Sequence, residues 1–449
     1  MGEQAAVTGA TLSHNDTCMQ PRAYLIALIT LLIGNGLSAQ EDYLFSDQTY
    51  VDNIRTVRFG PDGYEHLFPL LTLGENAQLH LVFDDMDAGV KNYVYTIIHC
   101  NRSWEPSGLQ PLEYIDGFEE ENVQQFAFSF KTLAIYTNYE FRIPNRNIGI
   151  TKSGNYLLVV YEDEDDKIPV ISRRFVVVDR KVTVAANLVR PTEVSKMHTH
   201  QELDFTVDHQ RLGARSPISE LSATVLQNRR WDNAIVGLAP KFTRPDQAIF
   251  DYQNKIVFPA GNEFRFIDLR SLRAPQSDID YVNVVNNEYV EAELGPVISR
   301  ARGVHLSFAD INGGFVIENF DQNNAALNGE YPSVLFTYKV DEPYFNDHLY
   351  FFGAITDWQL KPAYQLRYNP AISAYVGRFP LKQGYYNYCF ATAPSDAKAG
   401  SVQVPDFSLT EGNYADTEND YFILVYYRPF GSRFDQVVGA YQLNSQQTR

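Results

Sequence analysis

Short apolar runs recur along this chain, bounded by Gly, Pro, Asn and Asp. "NYVYTIIHC" (92–100), "NYLLVVY" (155–161), "VISRRFVVVD" (170–179), "ELDFTVDH" (202–209) and "DYFILVYY" (420–427) all predict strands. They are rich in Val, Ile, Tyr and Phe, which suit a pleated, half-buried surface. A helical period with caps persists nowhere, so long helices are not expected. The acidic "EDEDDK" (162–167) between two of the runs predicts a solvated hairpin tip. In "ADINGGF" (309–315), Asn312-Gly313 supplies the positive φ angles of a tight turn. Closely spaced strands without helices between them predict an all-β fold of tandem antiparallel β-sandwiches, immunoglobulin-like or early-set.

Two boundaries suggest themselves. "VVVDRKVTVAANLVRPTE" (176–193) lets one strand run into the next around Asp179 to Lys181, as where tandem sandwiches join. "DQNNAALNGEYP" (321–332) is polar and Asn-rich and reads as a linker. The expected division is an N-terminal sandwich at 40–180, a middle one at 181–330 and an early-set-like one at 331–449. A chain of 449 residues with 45% apolar content sustains about three such cores. Residues 1–39 are expected to be an N-terminal extension and signal peptide. Arg22 precedes the apolar run Ala23 to Ile33, and the small residues of "GLSAQ" (36–40) follow. That pattern places the true start at Met19 and cleavage after Ala39. The run is too short for a hydrocarbon core about 30 Å thick. No cysteine follows it directly, so no lipid anchor is expected.

The formal net charge of −18 includes −1 from Glu3, Asp16 and Arg22, which leaves −17 after residue 39. Such a field disfavours nucleic acid and anionic membrane surfaces. Beyond residue 39 the cysteines are Cys100 and Cys389, each inside an apolar run. Two buried free thiols is the preferred reading, and a disulfide between them is the open alternative.

Candidate chemistry is sparse. No G-x-S-x-G, H-E-x-x-H, Walker or Rossmann pattern occurs after residue 39, so the expectation is no enzyme, no cofactor and no metal. "MHTHQELDFTVDH" (197–209) holds His198, His200 and His209; the first two would share a strand face and could meet a metal. The plainer reading is an exposed loop entering a strand. "FDDMDAG" (83–89) and "DQNNAALNGE" (321–330) offer oxygen ligands without calcium-loop spacing and read as ordinary turns. In "QNRRWDNAI" (227–235), Arg229, Arg230 and Trp231 are residue types that anchor protein partners. Their alternative role is a Trp capping the middle core beside locally paired arginines. Trp358, with Tyr364, Tyr375 or Tyr385 as a second ring, could stack on a sugar. Alternatively Trp358 folds over Tyr386 and Phe351 to close one end of a sandwich.

Taken in order, several segments resemble one family. They are "VKNYVYTIIHCNRSWEPSGLQPLEYIDGF" (90–118), "SGNYLLVVYEDED" (153–165), "NRRWDNAI" (228–235), "FPAGNEFRFIDLRSLR" (258–273), "FFGAITDW" (351–358), "GYYNY" (384–388) and "EGNYADTENDYFILVYYRPFGSRFD" (411–435). From about Ile54 to Leu443 the chain resembles the plug protein family of the type IX secretion system, found in the Bacteroidetes lineage. The resemblance implies a periplasmic, non-enzymatic protein of β-sandwich domains. Its implied partner is the giant outer-membrane translocon barrel, whose periplasmic mouth it would seal. Arg229, Arg230 and Trp231 are offered as contact anchors on residue type alone. More distantly, the last domain resembles early-set glycogen-binding modules, which implies a rival function as an exported glycan-binding protein using Trp358, Tyr375 and Tyr385. The second platform position of such modules reads Tyr375 here in place of Trp. A borrowed scaffold is therefore the preferred reading.

Overall fold

The computed structural model describes residues 43–162, 167–276, 278–396 and 403–446. The expected signal segment and most of the acidic hairpin tip lie outside them. The five runs read as strands form Tyr93–Cys100, Gly154–Glu162, Ile168–Val178, His200–Asp208 and Asp420–Tyr427. Among the described residues the α-helices are single turns such as Pro111–Tyr114 and Ala325–Asn328. The fold is all-β and built of antiparallel sandwiches. Among the described residues, no helix is long and apolar enough to cross a membrane.

In the first sandwich, one sheet runs Gln48–Thr49, Ile168–Val178, Gly154–Glu162, Tyr93–Cys100, Glu120–Asn122. The facing sheet runs Ile54–Pro61, Leu79–Asp85, Thr137–Ile143, Gln125–Phe128. Phe83, Tyr93, Tyr139, Tyr156 and Phe175 fill the space between them. Phe83 and Tyr139 stack at 5.3 Å, and Tyr93 meets Tyr139 edge-on at 4.9 Å. Such offset and T-shaped contacts add to the area these rings bury.

The middle sandwich draws on distant parts of the chain. One of its sheets holds Thr183–Val189, His200–Asp208, Gln247–Phe250 and Phe242–Arg244. The other runs Ile235–Leu238, Leu221–Gln227, Asp420–Tyr427, Gln436–Asn444. Tyr421, Ile423 and Val425 thereby pack against Phe205, Leu221 and Phe250. The third core is enclosed by a nine-stranded sheet that includes Arg265–Asp268, Ile279–Val285 and Tyr289–Leu294 together with Ser333–Lys339 and Tyr385–Pro394. Strand pairing thus crosses the division expected at 330 in both directions. We propose instead a middle unit of 181–259 joined by 420–444, and a third unit of 265–394. "DQNNAALNGEYP" is no free linker either. Tyr136 donates its hydroxyl to Ala326 O and Gly329 O, and Phe130 N donates to Leu327 O, so this segment is docked on the first sandwich.

Several strands are buried on both faces. Along Ile168–Val178, Phe175 and Val177 enter the first core while Val176 and Val178 point the other way. Along Asp420–Tyr427, Phe422, Leu424 and Tyr426 point away from the middle core to meet them, with Leu226 and Phe68. A continuous apolar run is what a strand between two cores requires. The backbone is tied there as well: Asp179 N donates to Val437 O at 2.9 Å and Lys181 N to Val438 O at 2.8 Å. Tyr43–Arg449 accordingly forms one compact unit.

Candidate functional site

Strand Leu221–Gln227 ends in a turn where Asn228 and Arg229 both adopt left-handed φ values, 52° and 64°. That conformation is unfavourable for a bulky residue and persists where surroundings fix it. Arg229 is fixed by its own guanidinium, which donates to His66 O and, at 2.7 Å, to Ile311 O. Arg230 turns inward, pairs with Asp232 at 2.6 Å, and lies over the rings of Trp358 (5.1 Å) and Phe352 (5.3 Å). Trp231 packs edge-on against Trp104 at 4.8 Å. Arg174 covers Trp104 at 4.7 Å and Trp231 at 5.6 Å. The three residues offered as partner anchors are therefore engaged inside the chain, at the meeting point of its cores. Arg230 is buried, and its charge is already matched by Asp232 and three aromatic faces.

Three buried ion-pair clusters tie this body together. Lys382 Nζ lies 2.6 Å from Asp84 Oδ2, with both side chains almost wholly buried. Asp84 also accepts from Asn138 Nδ2 (2.7 Å) and the Tyr331 hydroxyl (2.5 Å). The ammonium donates to Ala326 O and lies 4.2 Å from the Tyr136 ring centroid. The first sandwich is thereby clamped to the third unit. A second clamp joins Arg173 to Asp357 at 2.9 Å, with Lys361 on the other carboxylate oxygen. Burial alone would raise the Asp357 pKa, yet Arg173 and Lys361 hold it below the ordinary range. Within the third unit and its return loop, Glu411 sits between Arg265 (2.9 Å) and Arg300 (2.7 Å), which depress its pKa against the pull of burial. In the sequence "FDDMDAG" reads as an ordinary turn, in which Asp84 does not stand out. A carboxylate that follows "LHLVF" inside a strand was the available signal, because such a group is buried only with a partner. Lys382 carried no signal of its own.

The sugar-platform residues do not share a surface. Trp358 packs edge-on against Phe264 (5.9 Å) and Phe352 (5.6 Å), close to the expected capping role but on different rings. Tyr375 is buried, and its hydroxyl accepts from Tyr344 N. Tyr385 stacks on Phe266 elsewhere on the sheet, and Tyr364 stacks on Phe351. Tyr386 and Tyr388 belong to the third core. His200 opens its strand and contacts Thr199 through Nδ1, His198 is exposed, and His209 is buried at the strand's far end. Cys100 and Cys389 are buried in separate apolar clusters and do not pair with each other.

Among the described residues, Asp62, Glu65 and His80 converge closely enough to hold a metal ion. His80 Nδ1 already meets Glu65 at 2.6 Å and Nε2 meets Glu140 at 3.0 Å, while Arg142 bonds Asp62 at 3.0 Å. Burial opposes ionisation of Glu65, but the bond from His80, a backbone hydrogen bond and the charges of Arg58 and His80 together outweigh it and hold the pKa down at about 2. This is a satisfied ion-pair cluster.

Exposed apolar groups are spread over the surface, and four of them lie at one sheet edge. Gln125–Phe128 ends the first unit's second sheet, and Phe126, Phe128, Phe130 and Ile135 are exposed beside it. Phe126 and Phe128 touch edge-on at 6.0 Å. A bare edge strand with exposed rings is a template for pairing, which proteins normally blunt or cover.

Residues 54–179 match the family described as type 9 secretion system plug protein, first domain. A solved structure of a hypothetical protein from Parabacteroides merdae ATCC 43184 is similar over 90% of this chain and 100% of that one, with 29% identity and a TM-score of 0.84. No curated protein matches the chain. The match covers the first sandwich, and it supports the type IX secretion system plug protein family for that part of the chain.

Proposed function

We propose that this protein is a non-enzymatic stopper of the type IX secretion system, held in the periplasm against the mouth of the giant outer-membrane translocon barrel. The reading rests on the family match over 54–179. The rest of the chain suits the role. A pore wide enough for folded cargo leaks solutes unless a body that keeps its shape closes it, and three cores locked by buried ion pairs resist deformation. The exposed rings of Phe126, Phe128 and Phe130, in place of Arg229, Arg230 and Trp231, are the contact surface we assign to the barrel. A standard interface of roughly 1,200–2,000 Å² would hold it there. With a net charge of −17 after residue 39, attraction to a basic barrel mouth would weaken as salt rises.

Affinity isolation from detergent-solubilised outer membranes tests the reading. The wild-type protein should recover the barrel, and Phe126→Asp/Phe128→Asp should lose it while melting within about 2 °C of wild type. Recovery of the barrel by neither protein, or by both equally, refutes the stopper or the assigned surface respectively. Cells lacking the protein should admit bulky solutes through an intact translocon.

A further inference from the structure

Where the three cores meet lies a cavity of about 130 Å³. Four arginines line it: Arg58, Arg173 and Arg174 from the first sandwich, and Arg229 from the turn after Leu221–Gln227. Gly314, Phe315 and Asp357 close it from the third unit. In a chain of net charge −18, four guanidinium groups around one small space form a local reversal of sign.

Their charges are unevenly matched. Arg173 has a full ion pair, with Asp357 at 2.9 Å. Arg174 donates from Nε and Nη2 to Phe45 O and covers the rings of Trp104 and Trp231. Arg229 donates to His66 O and Ile311 O. Both groups thus bond neutral carbonyls, and each leaves part of its five-donor fork uncommitted. Asp47, also on the wall, accepts from Arg174 N at 2.7 Å, and burial raises its pKa against the pull of Arg174 and Arg173. The formal count along the wall is four arginines against Asp47, Glu65 and Asp357, a net of +1, and Lys361 on Asp357 makes it +2.

Arg58 is the least satisfied of the four. Its ion-pair contact with Glu65 is 4.0 Å long, beyond hydrogen-bond reach, and Glu65 is already held by His80 at 2.6 Å. Among the described residues its guanidinium donates no hydrogen bond, although the side chain is only 15% exposed and Nε is buried. Buried donors are normally paired, and charged ones cost the most when left alone. Phe68, Phe315 and Trp231 add apolar walls, which strengthen any charge interaction made inside.

We propose that this cavity binds a small tetrahedral oxyanion, inorganic phosphate or sulfate, with Arg58 as its main donor and Arg174 and Arg229 completing the set. The planar fork of a guanidinium matches two oxygens of such an ion, and charge-assisted pairs of this kind are the strong ones. Because its donors come from the first and middle units, the ion braces the junction between them.

Calorimetric titration of dialysed, full-length mature protein with sodium phosphate should show one equivalent of binding. In about 10 mM phosphate the Tm should rise by at least about 2 °C over sodium chloride of equal ionic strength. A parallel titration with sodium sulfate ranks the two ions, and binding of either supports the site. Arg58→Gln should bind at least about tenfold more weakly and lose the rise. In sodium chloride that variant should melt within about 2 °C of wild type, since Arg58 donates no hydrogen bond in the protein, which separates lost binding from lost folding. Arg58→Lys keeps the charge without the fork and should bind about threefold more weakly than wild type. Binding of neither ion, an equal rise in chloride, or an undiminished rise in Arg58→Gln overturns the proposal.

Discussion

Replacing Lys382 by Met probes the clamp between the first sandwich and the third unit. The ammonium and the Asp84 carboxylate are 1% and 2% exposed and 2.6 Å apart. Removing one member of such a pair strands the other charge, at a cost of about 3–5 kcal/mol. Asp84 would keep Asn138 at Oδ1 and Tyr331 at Oδ2, two neutral donors that soften the loss. The expected cost is therefore near the lower bound, about 3 kcal/mol. With a guanidinium slope of about 5 kcal/mol/M, the unfolding midpoint should fall by about 0.6 M. The double variant Asp84→Asn/Lys382→Met removes both charges and keeps the amide donor and the apolar stem. Its loss should be smaller than the two single losses combined, by at least about 1.5 kcal/mol. A midpoint shift below about 0.2 M for Lys382→Met, or strict additivity in the cycle, would refute the claim that this pair couples the two units.

Glu263, raised from 4.5 to about 7, makes folding less favourable as pH climbs through that window, because the folded state holds its proton longer than the unfolded chain does. Glu263→Gln should flatten stability between pH 4.5 and 7 by on the order of 3 kcal/mol relative to wild type, and parallel pH profiles of the two proteins would contradict this. Gly313→Ala should cost at least about 2 kcal/mol by chemical denaturation, since φ is +75° and a Cβ would come 2.2 Å from the Trp358 ring. Cys100 and Cys389 are buried, and burial pushes the Cys389 thiol pKa up. A thiol reagent should find neither in the native protein lacking residues 1–39, and both after unfolding without reductant.

Strand positions were legible because alternation and β-branched runs are local signals. Ser333–Lys339 places Val334, Phe336 and Tyr338 inward at every second residue. The Asn312-Gly313 turn was legible for the same reason, since both residues adopt the positive φ that the pair predicts. Which sheet a strand joins was not legible, because pairing over some 200 residues leaves no periodicity in either partner. A local trace of it exists: "RRFVVV" and "DYFILVYY" are apolar at consecutive positions, which a sandwich with one wet face does not need. The turn at Arg229 to Trp231 was picked out by residue type, and its role as an internal hub could not be read without knowing that Trp104, Arg174 and Trp358 converge on it.

Because Asp420–Tyr427 hydrogen-bonds along Leu221–Gln227, a chain emerging N-terminus first can close its opening sandwich early yet cannot finish the middle one until its last strands arrive. Until then the apolar flanks of Leu221–Gln227 have no cover, and a copy cut short before Asp420 would present them to chaperones and proteases. The topology acts as a proof of completeness: only a chain that carries both distant strands passes as folded.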